Sequence, residues 1–256
     1  MKISINPELD FDSLKTQFLA DKKLRVDTFF TPDSAQYIAQ NLRNSTPWHL
    51  VHSDQNGLPV RYNAEQYAQL TEQQKNKIDR QLHKLAVDHY QYKYKFFPII
   101  SEIKAGTLAP GSMLFEMASF VNSTEFIAFA RWLTGVESLV KMDSQASLYE
   151  PGDFLTMHDD SNYQRSTNDQ SSRRFAVVMG FTENWSSNWG GQTCFYSEPE
   201  AIESVSWNPG FNVLTIFEVP AQHSVNYVAP FAGAGRYSIT GWLRDDPSVS
   251  RPDLGD

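Results

Sequence analysis

Hydrophobic and polar positions follow two different periods in the two halves of this chain. In the first half, apolar residues recur every three or four positions, which is the spacing of one face of an α-helix. Residues 31–43 show this spacing best, because Ala35, Ile38 and Leu42 form a continuous apolar stripe. The segment begins with a Thr-Pro pair, which suits the first turn of a helix, so the sequence predicts a helix here.

Two further helices are predicted in the first half. One runs over residues 71–92, and Gln74, three positions after Thr71, completes the pattern of an N-terminal capping box. The other covers residues 123–135 and ends at a glycine, a residue that commonly follows the last turn of a helix. A short strand is predicted at residues 48–51, between the first two helices.

From about residue 139 onwards, the apolar runs become short and are separated by glycine, proline and asparagine. Seven of these runs have the length and the residue types of β-strands. They cover residues 140–149, 154–158, 174–181, 192–196, 211–218, 223–228 and 236–243. Short strands with turns between them are typical of a β-sandwich or a β-barrel.

No change of composition suggests a flexible linker between the two halves. We therefore predict a single domain over residues 1–256. Residues 1–138 would supply helical support and the first strands, residues 139–245 the β core, and residues 246–256 a tail.

The composition limits the classes of partner and the compartment. The 256-residue chain has a net charge of −8 and no basic run, which argues against nucleic acid as a direct partner. No apolar run approaches the ~20 residues of a membrane span, and the first residues lack the apolar stretch of a secretory signal. The single cysteine, Cys194, excludes an internal disulfide framework. These features predict a cytoplasmic protein and leave its oligomeric state open.

Five aromatic residues lie close together before Pro98. They are Tyr90, Tyr92, Tyr94, Phe96 and Phe97. Large aromatic side chains pack well at a junction between a helix and a core, which is the favoured interpretation of this cluster. A platform for a substrate is the alternative.

A histidine and an aspartate stand two positions apart at the end of a predicted strand. In an extended chain, His158 and Asp160 point to the same face and can converge on one ion. An imidazole and a carboxylate are two thirds of the two-histidine, one-carboxylate set that binds Fe(II) and leaves coordination positions open. The pair alone is weak evidence, so a third ligand must come from elsewhere in the chain.

His223 is the only histidine after His158. It lies at the start of a predicted strand, where a lone histidine is more often a surface or hydrogen-bonded residue than a metal ligand. The other four histidines belong to the first half, and we interpret them as structural. They are His49, His52, His83 and His89.

The last predicted strand has one polar and one apolar face. Arg236, Ser238 and Thr240 occupy alternate positions and therefore share a face. If that face lines the interior of a barrel, the arginine needs a carboxylate, and a bound dicarboxylate would supply it because no acid on this strand does. If the face is solvated, the arginine needs no partner. Periodicity alone leaves both interpretations open.

Taken together, these motifs resemble a known family. In chain order they are Tyr149-x-x-Gly152, His158-x-Asp160, Gly190-Gly191, His223, Arg236-x-Ser238 and Gly241-Trp242. Their order and spacing resemble the Fe(II)- and 2-oxoglutarate-dependent dioxygenases, and within them the prolyl 4-hydroxylase group. The ending Arg-Tyr-Ser-Ile-Thr-Gly-Trp-Leu is most similar to the catalytic domain of the ribosomal-protein prolyl hydroxylases. The resemblance covers residues 139–245.

The resemblance implies a fold and a metal site. The fold would be mainly β with flanking helices, a double-stranded β-helix (jelly-roll) core whose larger sheet is buttressed by the N-terminal helices. His158, Asp160 and His223 would bind Fe(II), and no side chain beyond the metal centre would be catalytic.

The resemblance also implies a site for 2-oxoglutarate as co-substrate. Arg236 would bind its distal carboxylate, with Ser238 and Tyr149 as hydrogen-bonding partners. O2 would be the second co-substrate, and ascorbate would support turnover.

The reaction implied by the resemblance is hydroxylation of an unactivated C–H bond with release of succinate and CO2. The favoured substrate is a prolyl residue in a protein or peptide. A free amino acid or another small metabolite is the second interpretation, and a non-catalytic metal-binding or sensor jelly-roll is the third. The presence of all three ligands together with Arg236 argues against the third, because a lapsed enzyme is expected to lose one of them.

Residues 159–173 form a strongly polar stretch that begins directly after the first two predicted ligands. A plain surface loop is the default interpretation, and a lid over the active site is the alternative that its position suggests. Ordering about fifteen residues costs roughly 1 kcal/mol or more for each. A lid would therefore favour an extended peptide over a free amino acid as the substrate.

Overall fold

The computed structural model describes residues 2–161, 172–198 and 204–246. Within these residues the helices are α1 (Phe11–Asp21), α2 (Pro32–Asn44), α3 (Ala64–Ala68), α4 (Glu72–Leu85), α5 (Ile99–Ala105), α6 (Met113–Val121) and α7 (Thr124–Thr134). The strands are β1 (Lys23–Asp27), β2 (His49–Ser53), β3 (Pro59–Tyr62), β4 (Tyr92–Phe97), β5 (Leu139–Tyr149), β6 (Phe154–His158), β7 (Ser172–Phe181), β8 (Thr193–Tyr196), β9 (Ser204–Trp207), β10 (Phe211–Glu218), β11 (His223–Val225) and β12 (Arg236–Asp245).

The strands form one curled antiparallel sheet. Its order is β1-β10-β7-β12-β5-β4-β6-β11-β8-β9, and β2 and β3 extend it beside β4. Strand β4 pairs with β5 on one side and with β6 on the other. It therefore joins a larger part, from β1 to β5 in the sheet order, to a smaller part that contains β6, β11, β8 and β9. This architecture confirms the predicted mainly β, jelly-roll fold.

The helices cover the outer face of the larger part. Buried residues of α2, α6 and α7 form one hydrophobic core with the apolar side chains of β5, β7, β10 and β12. Ile239 and Leu243 of β12 are fully buried in this core, as the alternation along the strand predicts. The predicted buttressing of the larger sheet by N-terminal helices is confirmed.

The opposite face of β12 points into the curled sheet. Arg236 and Ser238 are 6% and 1% exposed, so this polar face is buried and not solvated. Strand β12 lies between β5 and β7, so both of its edges are paired.

The predicted helices and strands were confirmed in part. Helix α4 begins with the predicted capping box. The backbone N–H of Gln74 donates to Thr71 Oγ1, and the backbone N–H of Thr71 donates to Gln74 Oε1. The helix ends at Leu85, so the prediction that it continues to residue 92 was wrong. The aromatic residues that follow belong to strand β4, where tyrosine and phenylalanine alternate with lysine at the period of a strand.

Other elements were missed by the sequence reasoning. The structure contains four helices and four strands that were not predicted: α1, α3, α5, α6, β1, β3, β4 and β9. All seven strands predicted after residue 139 are present, although β11 ends at Val225, three residues earlier than predicted. In the described part of the chain, no helix has the length and apolar character needed to cross a membrane.

Candidate metal centre

Two paired strands bring the predicted ligands together. His158 is the last residue of β6 and His223 is the first residue of β11, and the two stand directly opposite each other in the antiparallel pair. Asp160 lies two residues beyond the end of β6. Its carboxylate oxygens lie 3.8 Å from His158 Nε2 and 3.7 Å from His223 Nε2, and one ligand atom from each residue falls within 4.8 Å of the others.

Both imidazole rings are oriented by their own backbone. His158 Nδ1 donates to the carbonyl oxygen of Thr156 at 3.0 Å, and His223 Nδ1 donates to that of Ala221 at 2.8 Å. A carbonyl oxygen can only accept, so in each neutral ring the proton is on Nδ1 and the lone pair is on Nε2. Each Nε2 faces Asp160, which is the arrangement that metal-binding histidines adopt.

Burial favours the neutral state of the His158 ring. It lowers the pKa of His158 to about 4, with a further contribution from the neighbouring His223. The rings of Phe217 and Phe195 pack against His223, with centroids at 4.8 Å and 6.4 Å. Since a metal ligand must be a neutral imidazole, the apolar surroundings prepare the site for a cation.

The donor set fits the ion that the sequence predicts. Two imidazole nitrogens and one carboxylate on one side of a centre suit Fe(II) and leave further coordination positions for small ligands. Among the described residues, this is the group of histidine and acidic side chains that meets the geometry of a metal site. The other four histidines lie outside it; His83, for example, packs against Phe154.

Arg236 lies in the buried interior and reaches β8, the strand that pairs with β11. Its Nη2 donates to Thr193 Oγ1 at 2.9 Å, and its guanidinium carbon lies 5.1 Å from the ring of Tyr149. No carboxylate of the described residues forms an ion pair with it, and burial lowers the pKa of its guanidinium. Ser238 is close by and shares a 2.8 Å hydrogen bond with Ser147. A buried cation without an acid is costly unless an anion binds to it.

A small cavity borders Arg236 and Ser238. Thr193 and Thr215 are among the other residues that line it. Thr193 was not predicted, because nothing along the chain marks a threonine on β8 as the partner of an arginine on β12.

The aromatic cluster borders the site. Tyr94 stacks on Tyr149 with centroids 4.9 Å apart, and Tyr90 lies 5.4 Å from the ring of His158 and is 41% exposed. Phe96 and Phe97 are buried in two hydrophobic cores. The favoured interpretation as packed residues holds for the two phenylalanines and for Tyr92, which shares a buried cluster with Phe96. Tyr90 and Tyr94 contact His158 and Tyr149 of the predicted site.

Most of the polar stretch at 159–173 lies outside the described residues, and so does the predicted lid. Its two ends are described. Asp160 belongs to the metal cluster, and Arg173 Nη1 lies 3.7 Å from Asp160 Oδ1. Arg173 was not among the predicted site residues.

Comparison with known proteins agrees with this geometry. Residues 144–244 match the family model of the 2OG-Fe(II) oxygenase superfamily, and this segment contains the three cluster residues together with Arg236. This segment therefore carries the domain of a 2-oxoglutarate-dependent dioxygenase, a class of enzyme that uses Fe(II), 2-oxoglutarate and O2. No curated protein matches the chain.

Solved structures with the same fold include prolyl 4-hydroxylases. The prolyl-4-hydroxylase of Pseudomonas putida is 15% identical, with a TM-score of 0.55 over 92% of this chain and 99% of that one. A prolyl hydroxylase of Trichoplax adhaerens, solved with a hypoxia inducible factor peptide fragment, is 17% identical, with a TM-score of 0.57 over 92% and 89%. The epimerase SnoN of nogalamycin biosynthesis is 12% identical, with a TM-score of 0.53 over 92% and 82%. At these identities the likeness is one of fold.

Proposed function

We propose that this dioxygenase hydroxylates a prolyl residue in a protein or peptide. The observation that carries the proposal is the His158–Asp160–His223 cluster together with a buried arginine that has no carboxylate partner among the described residues. The fold adds support, because prolyl hydroxylases share it and one of them was solved with a peptide.

In this proposal the three cluster residues hold the metal through His158 Nε2, His223 Nε2 and the Asp160 carboxylate. When bound, Fe(II) supplies the chemistry by which 2-oxoglutarate and O2 become succinate and CO2 while one oxygen atom enters a substrate C–H bond. The protein orients the reactants and keeps water away from the centre. The buried rings of Phe195 and Phe217 around His223 help to keep water away.

Arg236 would bind the distal carboxylate of 2-oxoglutarate through the planar fork of its guanidinium. Ser238 and Tyr149 would add hydrogen bonds, and both are almost fully buried near the arginine. Thr193 keeps one nitrogen of the guanidinium in place and leaves other N–H groups for the ligand. Ascorbate as a supporting reductant, a cytoplasmic location and the single-domain organisation remain predictions.

A small metabolite is the second candidate substrate. The observation that favours it is the shared fold with SnoN, an epimerase of nogalamycin biosynthesis. The substrate is therefore the part of the proposal that most needs a direct test.

The test is a search for products in a cell lysate. The protein is loaded with Fe(II) and 2-oxoglutarate without oxygen, mixed with lysate and exposed to air, and mass spectrometry records molecules that gain one oxygen atom. The matched control is His158→Ala, which removes one ligand. We expect oxygen on proline in peptides with the wild type alone. Oxygen on a free amino acid or metabolite would overturn the protein substrate, and no product with no succinate would overturn the activity.

A further inference from the structure

Arg173 lies beside the metal cluster in a fixed position. It follows the first residue of β7, and its guanidinium carbon lies 3.4 Å from the ring centroid of Trp242 on β12. This is a close cation–π contact. The side chain is 12% exposed, and Nη1 lies 3.7 Å from Asp160 Oδ1.

The two oxygens of Asp160 have different neighbours. Oδ2 faces His223 Nε2 at 3.7 Å, whereas Oδ1 has the guanidinium of Arg173 on one side and His158 on the other. A carboxylate can bind a metal through one oxygen or through both. A positive charge held at Oδ1 favours binding through Oδ2 alone, because Oδ1 then keeps its ion pair.

We infer that Arg173 is a positioning residue that restricts Asp160 to one metal-binding oxygen. This inference rests on the proposed function, in which Asp160 is a ligand of Fe(II). Three ligand atoms from the protein leave three positions of an octahedron open, enough for a chelating co-substrate and O2. A second oxygen from Asp160 would occupy one of these positions.

The neighbouring arginine provides a matched control. Arg174 also forms an ion pair with an aspartate, at 2.7 Å from Asp245 Oδ2, but it is 37% exposed and lies away from the cluster. Successive residues of a strand point to opposite faces. A comparison of the same substitution at positions 173 and 174 therefore separates the effect on the metal site from the loss of an ion pair on β7.

The experiment measures two affinities without oxygen in the full-length protein. One is the dissociation constant of Fe(II), and the other is that of 2-oxoglutarate for the Fe(II)-loaded protein, followed by the visible charge-transfer absorption of the chelate. Arg173→Met should weaken 2-oxoglutarate binding by roughly tenfold or more and shift the absorption band. Fe(II) should bind at least as tightly as before, because a nearby positive charge has been removed. Arg174→Met should leave both constants unchanged.

The outcomes separate this inference from the proposed function. Unchanged 2-oxoglutarate binding in Arg173→Met would overturn the inference, and so would weaker Fe(II) binding, which indicates a merely structural role. A wild-type protein that binds no Fe(II) would overturn the proposed function itself. Thermal unfolding of the metal-free proteins shows whether each variant folds. Arg173→Lys, which keeps the charge without the planar stack, should give an intermediate 2-oxoglutarate affinity and decides the question if the methionine variant does not fold.

Discussion

Arg236 shows how one residue defines the chemistry of the interior. Its guanidinium is 6% exposed, and among the described residues its hydrogen-bond partner is the hydroxyl of Thr193. A hydroxyl does not neutralise a cation, so the folded protein keeps a buried charge whose cost an anion would offset. An arginine on a solvated strand would not indicate a bound anion, because water would stabilise its charge.

We expect Arg236→Lys to raise the KM for 2-oxoglutarate by roughly tenfold or more. Lysine keeps the charge but loses the planar fork, and a charge-assisted hydrogen bond contributes ~1.5–3 kcal/mol. Steady-state measurement of succinate at varied 2-oxoglutarate concentrations gives the value, with Arg174→Lys as the control. An unchanged KM would show that another group binds the co-substrate.

At the scale of elements, the turn before β6 leads into the strand that carries His158. Asp153 in this turn is 3% exposed. It accepts a hydrogen bond from the Glu150 N–H at 2.9 Å and lies 3.6 Å from Lys93 Nζ on β4. Lys93 also binds Asp79 on α4 at 2.8 Å. Lys93 on β4 thus connects the turn to helix α4 through its contacts with Asp153 and Asp79.

This network predicts a specific dependence of stability on pH. Burial raises the pKa of Asp153 from 3.8 to about 7, although Lys93 opposes the shift. Between those values the folded state holds a proton that the unfolded state has lost, so the contribution of Asp153 to stability falls as the pH rises from about 4 to about 7.

The variant Asp153→Asn should remove this contribution. We expect its free energy of unfolding to fall less than that of the wild type between pH 5 and pH 7.5. The difference should be on the order of 1 kcal/mol or more. Urea unfolding of the metal-free proteins at both pH values measures it. His158, with its lowered pKa, acts in the opposite direction, but its effect is common to both proteins and cancels. If the free energy of unfolding changes equally with pH in the two proteins, Asp153 is ionised throughout this pH range.

At the scale of the whole molecule, the metal cluster joins two strands of the smaller part of the sheet. His158 ends β6 and His223 begins β11. In the described part of the chain, the large hydrophobic core that the helices form lies against the larger part of the sheet. An ion bound by both strands would therefore stabilise the part of the fold with less apolar packing.

We expect Fe(II) with 2-oxoglutarate to stabilise the folded protein in the absence of oxygen. Ligands at about a hundredfold excess over their dissociation constant contribute ~2.7 kcal/mol. Thermal unfolding should show a higher Tm for the wild type with both ligands and no change for His158→Ala. An equal rise in the two proteins would place the stabilising ion elsewhere.

The sequence by itself determined the features that depend on short stretches of chain. The spacing of His158 and Asp160 marks them as a candidate pair of ligands, although the strand that would place both side chains on one face ends at His158. Polar and apolar residues alternate along β12, and this alternation places Arg236 and Ile239 on opposite faces of the strand. The capping box at Thr71 and the glycine after α7 likewise depend on residues within one turn.

The tertiary structure alone decided which of these stretches meet. Strand pairing sets His223 opposite His158, and it brings Thr193 to Arg236 and Trp242 to Arg173 from distant positions. The end of α4 at Leu85 was decided in the same way, because β4 gains a partner strand on each side. The residue pattern of one strand does not specify which other strand will pair with it. That pairing depends on burying both faces of the sheet at once.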